Sequence, residues 1–259
     1  MNRYFIELAY KGTPFSGWQL QTNAPTVQGE LERVLWTLFR EPVRLTGAGR
    51  TDSGVHASHF VAHFDAQRED LDKDPSLIIK LNGMLPREIV VFRIIAVTPN
   101  AHARYDALSR TYHYRIATKK NPFTIDLAFH YYRSLDLEKM NEAAAILPQY
   151  RDFTSFARLH GESKTNLCEL MNAQWFDDNN DELRFEITAN RFLRNMVRAI
   201  VGTMIDVGLG KYPPQDIHRI IQEKDRSAAG ASAPPQGLYL VKIEYPHEIA
   251  GQRRTGYSR

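Results

Sequence analysis

The stretch Gly47-Ala48-Gly49-Arg50-Thr51-Asp52-Ser53-Gly54-Val55-His56 constrains this chain more than any other part of it. It lies between two strand-like runs, Val43-Arg44-Leu45 and His59-Phe60-Val61-Ala62-His63-Phe64. Glycine takes positive φ at little cost and lets backbone or ligand come close. Three glycines around one carboxylate, between two strands, therefore predict a tight loop that presents Asp52. Arg50 stands two residues earlier, where a guanidinium favours the charged carboxylate or clamps a phosphate. Such a carboxylate suits a nucleophile, a general base or a metal ligand. A β-turn in which Asp52 bonds its own backbone also fits, so the loop alone leaves function open.

Composition narrows the classes. A chain of 259 residues is long enough for a sizeable core and one or two domains. One cysteine, Cys168, excludes an intrachain disulfide framework and suits a reducing cytoplasm. Met1 to Glu7 is already strand-like, without a basic-then-apolar leader. No apolar run approaches the ~18 residues of a membrane span. The net charge is only +3, so binding of a polyanion requires positive charge gathered locally.

Periodicity gives the order of elements. Tyr4 to Ala9 alternates as a strand, and Thr26 can cap a helix carrying Val27, Leu31, Val34, Leu35 and Leu38 on one stripe. Two strands flank the Asp52 loop, Pro75 opens a second helix, and Ile89 to Val97 is a strand. The first half thus reads β-α-β-β-α-β, a ferredoxin-like order. From Ala107 onward, strands are expected at 110–117, 173–176, 183–188 and 238–245. Helices are expected at 137–147, 191–207 and 214–222, and the strands should pair mainly antiparallel. The predicted division is 1–106, 107–246 and a basic, disordered tail over 247–259 containing Gln252-Arg253-Arg254.

Three constellations could carry chemistry. On the expected helix 191–207, Leu193, Met196, Val197, Ile200 and Met204 fall on one side, at ~100° per residue. Arg191, Arg194 and Arg198 gather opposite, within about 60°. They read either as a solvated basic face or as a strip along a phosphate backbone. Tyr112 and Tyr114 share one face of a strand, as core packing or as a base-stacking platform. His56, His59 and His63 invite a metal site, but on a strand His59 and His63 sit too far apart for easy shared ligation. No Walker-type or dinucleotide-binding glycine pattern is present, so no cofactor and no metal is expected.

Gly-Arg-Thr-Asp-x-Gly-Val-His at Gly49–His56 resembles the characteristic loop of the bacterial tRNA pseudouridine synthase A family. The resemblance extends through Tyr10-Lys11-Gly12, Gly17-Trp18-Gln19-Leu20-Gln21, His102-Ala103-Arg104-Tyr105 and Arg110-Thr111-Tyr112-His113-Tyr114-Arg115. It continues in Asp152-Phe153-Thr154-Ser155-Phe156, Met196-Val197-Arg198-Ala199-Ile200-Val201-Gly202 and Gly237-Leu238-Tyr239-Leu240-Val241, in order over residues 4–246. Two departures are Lys11, where the family usually has Asp, and Lys164-Thr165, where many members have Arg-Thr.

The resemblance implies an α+β fold of two ferredoxin-like, RRM-like halves, with mainly antiparallel sheets joined across a central RNA-binding catalytic cleft. It implies isomerisation of uridines 38, 39 and 40 in the tRNA anticodon arm to pseudouridine, after base flipping. Asp52 would be the nucleophile, Arg50 and Arg198 its partners or phosphate grips, and Tyr112 the ring stacking on uracil. Arg191 and Arg194 would contact RNA, and a cytoplasmic homodimer would hold each tRNA with both subunits. The alternatives from other classes are a non-catalytic RNA-binding module and a metal-dependent phosphoesterase using Asp52 and the histidines.

Overall fold

Alternation along the first strand sets the layers. In β1 (Asn2–Tyr10) the side chains of Tyr4, Ile6, Leu8 and Tyr10 are buried on one face. They meet α1 (Val27–Phe39), whose Val27, Leu31, Val34 and Leu35 are fully enclosed. Each such side chain stabilises the fold by roughly 1.5–3 kcal/mol relative to exposure. Thr26 caps α1 through its side chain, which accepts the Gly29 N–H. The structure is a computed structural model and describes residues 1–158, 165–179 and 181–249. The tail residues 250–259, including Arg253 and Arg254, and Lys164 lie outside the described residues.

The remaining first-half elements are β2 (Thr46–Gly47), β3 (His56–Ala66), α2 (Pro75–Met84) and β4 (Ile89–Ala96). The second half has β5 (Ser109–Ala117), β6 (Phe129–His130), α3 (Leu137–Ile146), β7 (Leu170–Asp177), β8 (Glu182–Ala189), α4 (Met196–Gly208), α5 (Asp216–Glu223) and β9 (Leu238–Glu244). Among the described residues the strands form one mixed, mainly antiparallel sheet in the order β4-β1-β3-β9-β5-β8-β7. Both halves share that sheet through β9, which lies between β3 and β5.

The β3–β9 pairing is parallel and spans only His56↔Tyr239 and Ala57↔Leu240. Across the register, Tyr10, Ala57, Leu240 and Tyr112 stand on one face, so the helices of both halves cover the same side of the sheet. The other face carries cross-strand ion pairs such as Glu7–Arg93, Arg115–Glu182 and His113–Glu186. One hydrophobic cluster gathers residues from Tyr4 to Ala107 together with Leu240 and Ile243. The second runs from Tyr114 to Leu238 and takes in Val55.

Two expectations are corrected. The apolar run Val43–Leu45 is not a strand, although both side chains are buried. Its backbone is satisfied by α1 instead: Leu45 N–H donates to the Glu32 carboxylate, and Gln28 Nε2 donates to the Leu45 carbonyl. The helix expected over 191–207 begins only at Met196, because Asn195 stands at φ 67° and turns the chain before the first helical residue. The other departure from the family pattern, Lys11, pairs with Asp126 at 3.3 Å.

The three histidines of β3 serve as acceptors, His56 and His63 buried and His59 half-buried. His56 Nδ1 accepts the Gly12 N–H, His59 Nδ1 the Ile243 N–H, and His63 Nδ1 the Ala103 N–H. Protonation would set N–H against N–H in each case. Burial lowers all three pKa values, and that of His63 falls to about 4. Their neutral forms therefore add stability above the unfolded value of about 6.5; the share of His63 is lost as pH falls through about 4. Thermal melts should show Tm declining between about pH 6.5 and 4.5. His63→Asn, which keeps an acceptor but cannot titrate, should flatten the decline; a flat wild-type profile would refute this account.

Candidate active site

The Asp52 loop leaves β2, crosses to β3 and is gripped by the segment that follows β1. Gly17, at φ +91°, lies so close to Thr51 that a Cβ there would sit 2.3 Å from the Thr51 carbonyl oxygen. A Cβ on Gly12 would sit 2.0 Å from the Val55 oxygen. Trp18 N–H donates to the Thr51 carbonyl, and the Tyr10 and Thr51 hydroxyls share a buried 2.9 Å hydrogen bond. The Phe15 carbonyl accepts from Gly54 N–H and from the Ser53 hydroxyl. The two N-terminal glycines thus seat the loop by close backbone approach.

The loop's other side rests on residues 229–237. Gly54, at φ +78°, abuts Pro235, and His56 Nε2 donates to the Gln236 carbonyl. The same segment holds α4: Arg198 Nε donates to the Ala233 carbonyl at 2.7 Å, and Ala233 N–H donates to the Arg198 carbonyl at 2.9 Å. This fixes the guanidinium whose Nη1 lies 3.5 Å from Asp52 Oδ2.

Arg194 Nε lies 3.5 Å from Asp52 Oδ1, so the carboxylate sits between two cations. They differ in freedom: the Arg198 side chain is 19% exposed and that of Arg194 63%. Arg194 reaches Asp52 from the turn before α4, not from the helix face expected for it. Arg191 points elsewhere and donates to the Thr165 carbonyl. Arg50, the expected neighbour, is not an ion-pair partner of Asp52; it lines a cavity beside the loop.

Tyr112 stands on β5, its ring edge-on to Phe192 with centroids 5.1 Å apart. Burial pushes its hydroxyl up to about 12; the Arg110 charge opposes this and the Asp52 charge adds to it. The phenol is therefore protonated at neutral pH. Tyr114, on the same face, is fully buried and donates to the Pro234 carbonyl.

Two residues here were not singled out from the sequence. Phe192 supports the Tyr112 ring. Arg110 spends its guanidinium on the carbonyls of Ala48, Arg104, Ala107 and Asn190, so one part-buried cation ties the Asp52 loop to the segments carrying Arg104 and Arg194. Its signals were its place at the head of the Arg110–Arg115 motif and on the same strand face as Tyr112. Among the described residues no three His, Cys, Asp or Glu side chains converge as metal ligands.

Residues 150–246 match the family model described as tRNA pseudouridine synthase, and the mixed, mainly antiparallel α+β sheet is that of a pseudouridine synthase. The chain is 51% identical to tRNA pseudouridine synthase A of Porphyromonas gingivalis over 96% of this chain and 99% of the relative. It is 50% identical to the protein of that name from Bacteroides fragilis, over 96% and 98%. With that of Thermoanaerobacter pseudethanolicus it shares 41%, over 95% and 100%. The chain belongs to the tRNA pseudouridine synthase A family.

The seating of the loop gives a direct test. Gly17→Ala adds a methyl against a carbonyl at positive φ and should cost at least about 2 kcal/mol, with a matching loss of activity. Gly83→Ala, in α2 with nothing within 4 Å, should instead raise stability by about 0.5–1 kcal/mol. Denaturant unfolding of both variants checks the contrast, and equal effects would refute it.

Proposed function

We propose that the chain isomerises uridine to pseudouridine at positions 38, 39 and 40 of the tRNA anticodon arm, with Asp52 as nucleophile. The observation that carries this reading is the Asp52 carboxylate held between Arg194 and Arg198 in a chain 51% identical to a tRNA pseudouridine synthase A. The reaction breaks the bond from ribose C1′ to uracil N1 and forms one from C1′ to C5. C5 gives up a proton and N1 gains one, so atoms balance without redox chemistry or a cofactor. A carboxylate suits the task because it can add to the nucleotide and leave again.

Each group has a part. Arg198, fixed by Ala233, orients Asp52. Arg194, mostly exposed, exchanges Asp52 for an RNA phosphate as the nucleotide enters. Arg50 grips a phosphate of the displaced nucleotide, and Arg191 contacts RNA farther out. Tyr112 stacks on the flipped uracil. Its phenol, protonated beforehand, joins the proton transfer by passing its own proton on. Flipping costs a few kcal/mol, which contacts to the RNA backbone offset.

On this reading the halves 1–106 and 107–246 flank the RNA cleft. The compartment is the cytoplasm, supported by the single, buried Cys168 and, among the described residues, by no helix long and apolar enough to cross a membrane. A net charge of +3 is small for gripping a tRNA, and this favours a homodimer in which each tRNA touches both subunits.

The purified protein should form pseudouridine in unmodified tRNA with a chelator present; no product across several tRNAs carrying the expected uridines would overturn the function. Asp52→Asn should bind tRNA and retain less than about a thousandth of kcat. Tyr112→Phe should lose about 10²- to 10⁴-fold in single-turnover rate. Tyr114→Phe should lose only about 1 kcal/mol of stability, from its bond to Pro234. Equal, near-wild-type rates for both Phe variants would remove Tyr112 from the site. Sedimentation should give a dimer; a fully active 29.8 kDa monomer would reject that assembly.

A further inference from the structure

A cavity of about 210 Å³ lies beside the catalytic loop, lined by Trp18, Gln19, Thr46, Gly49, Arg50 and Arg104 among others. None of the described lining residues is acidic. Its floor is the Trp18 ring, which is 1% exposed and stacked on Phe60 at 4.1 Å. Gly47 makes room for that ring: a Cβ there would sit 2.6 Å from the indole Nε1.

The indole N–H has no hydrogen-bond partner among the described residues. It differs from the unpartnered Trp175 Nε1, which is sealed in the core. Trp18 borders the cavity, and an unpartnered indole N–H calls for an acceptor. Arg104 adds charge without neutralisation: its guanidinium lies over the Tyr105 ring at 5.7 Å and pairs with no carboxylate among the described residues. Arg110 Nη2 donates both to the Ala48 carbonyl, at 3.0 Å, and to that of Arg104, so one guanidinium holds two cavity walls in register.

An indole donor and two arginines, with no acidic side chain among the described lining residues, suit an oxyanion. Arg50 stands two residues from Asp52, so the anion would lie one nucleotide step from the reacting centre. We propose that this cavity is a subsite for the RNA backbone phosphate adjoining the target nucleotide, read by Arg104, Arg50 and the Trp18 indole. The assignment rests on the proposed tRNA reaction and adds to it a contact that fixes the register of the strand.

The test uses anticodon-arm RNAs that each carry one neutral methylphosphonate, bound to wild type, Arg104→Gln and Arg104→Lys. Arg104 is exposed, so neither substitution threatens the fold. One position beside the target should weaken wild-type binding about tenfold and Arg104→Gln several-fold less, with Arg104→Lys between them. The slope of log affinity against log salt should fall by about 0.7 in Arg104→Gln. Identical position profiles in wild type and Arg104→Gln, or an unchanged slope, would overturn the subsite. So would competition by inorganic phosphate at matched ionic strength with no position-specific loss, which would mark a site for free anions only. Pseudouridine measured in the same wild-type samples separates the two failures: its absence speaks against the reaction, whereas the methylphosphonate profile speaks to the cavity.

Discussion

The position of Asp52 depends on backbone meeting backbone where a side chain would intervene. Gly17 against the Thr51 carbonyl and Gly12 against that of Val55 let the chain after β1 lie directly on the Asp52 loop. Trp18 N–H and the Tyr10 hydroxyl then fasten Thr51, one residue from the carboxylate. From the other side, Pro235 meets Gly54 and Ala233 holds Arg198. Asp52 and its fixed cation are thereby referred to one frame, although about 145 residues separate them in sequence.

The electrostatics of the site are asymmetric. Both guanidiniums stand 3.5 Å from Asp52, but one is buried against a carbonyl and the other is mostly in solvent. Exposed ion pairs at that separation are worth only about 0–1 kcal/mol, so Arg194 can be drawn away by a phosphate at little cost. Arg198 cannot move without breaking its bonds to Ala233. The turn at Asn195 makes the difference: it takes Arg194 off the helix that immobilises Arg198. Two arginines one helical turn apart in sequence thus gain separate duties.

Much of this was legible in the sequence. Period-two and helical spacing found the β-α-β-β-α-β order, the Thr26 cap and the glycine-framed carboxylate, because each is set by neighbours close in the chain. The misreadings arose where distant groups decide. Val43 and Leu45 are apolar and buried as strand residues would be, yet Glu32 and Gln28 take the backbone bonds of Leu45. The stripe Leu193, Met196, Val197 continues through a helical period, and nothing local revealed that Asn195 turns left-handed. The role of Arg110 was not legible because two of its four carbonyl partners, Ala48 and Asn190, reach it only in the folded protein.

The placement of β9 has a consequence for how the protein is made. During synthesis β3 emerges about 180 residues before the strand that pairs with it at His56 and Ala57. Until Tyr239 and Leu240 leave the ribosome, β3 and β5 each present an open edge, and Ala233 and Pro235 are not yet there to hold Arg198 and the loop. A nascent chain can fold each hydrophobic cluster in large part while its reactive centre stays unbuilt. Assembly of the sheet and assembly of the site are therefore the same late event. A chain released early would be inert toward RNA, and its unpaired strand edges would mark it for recognition by chaperones.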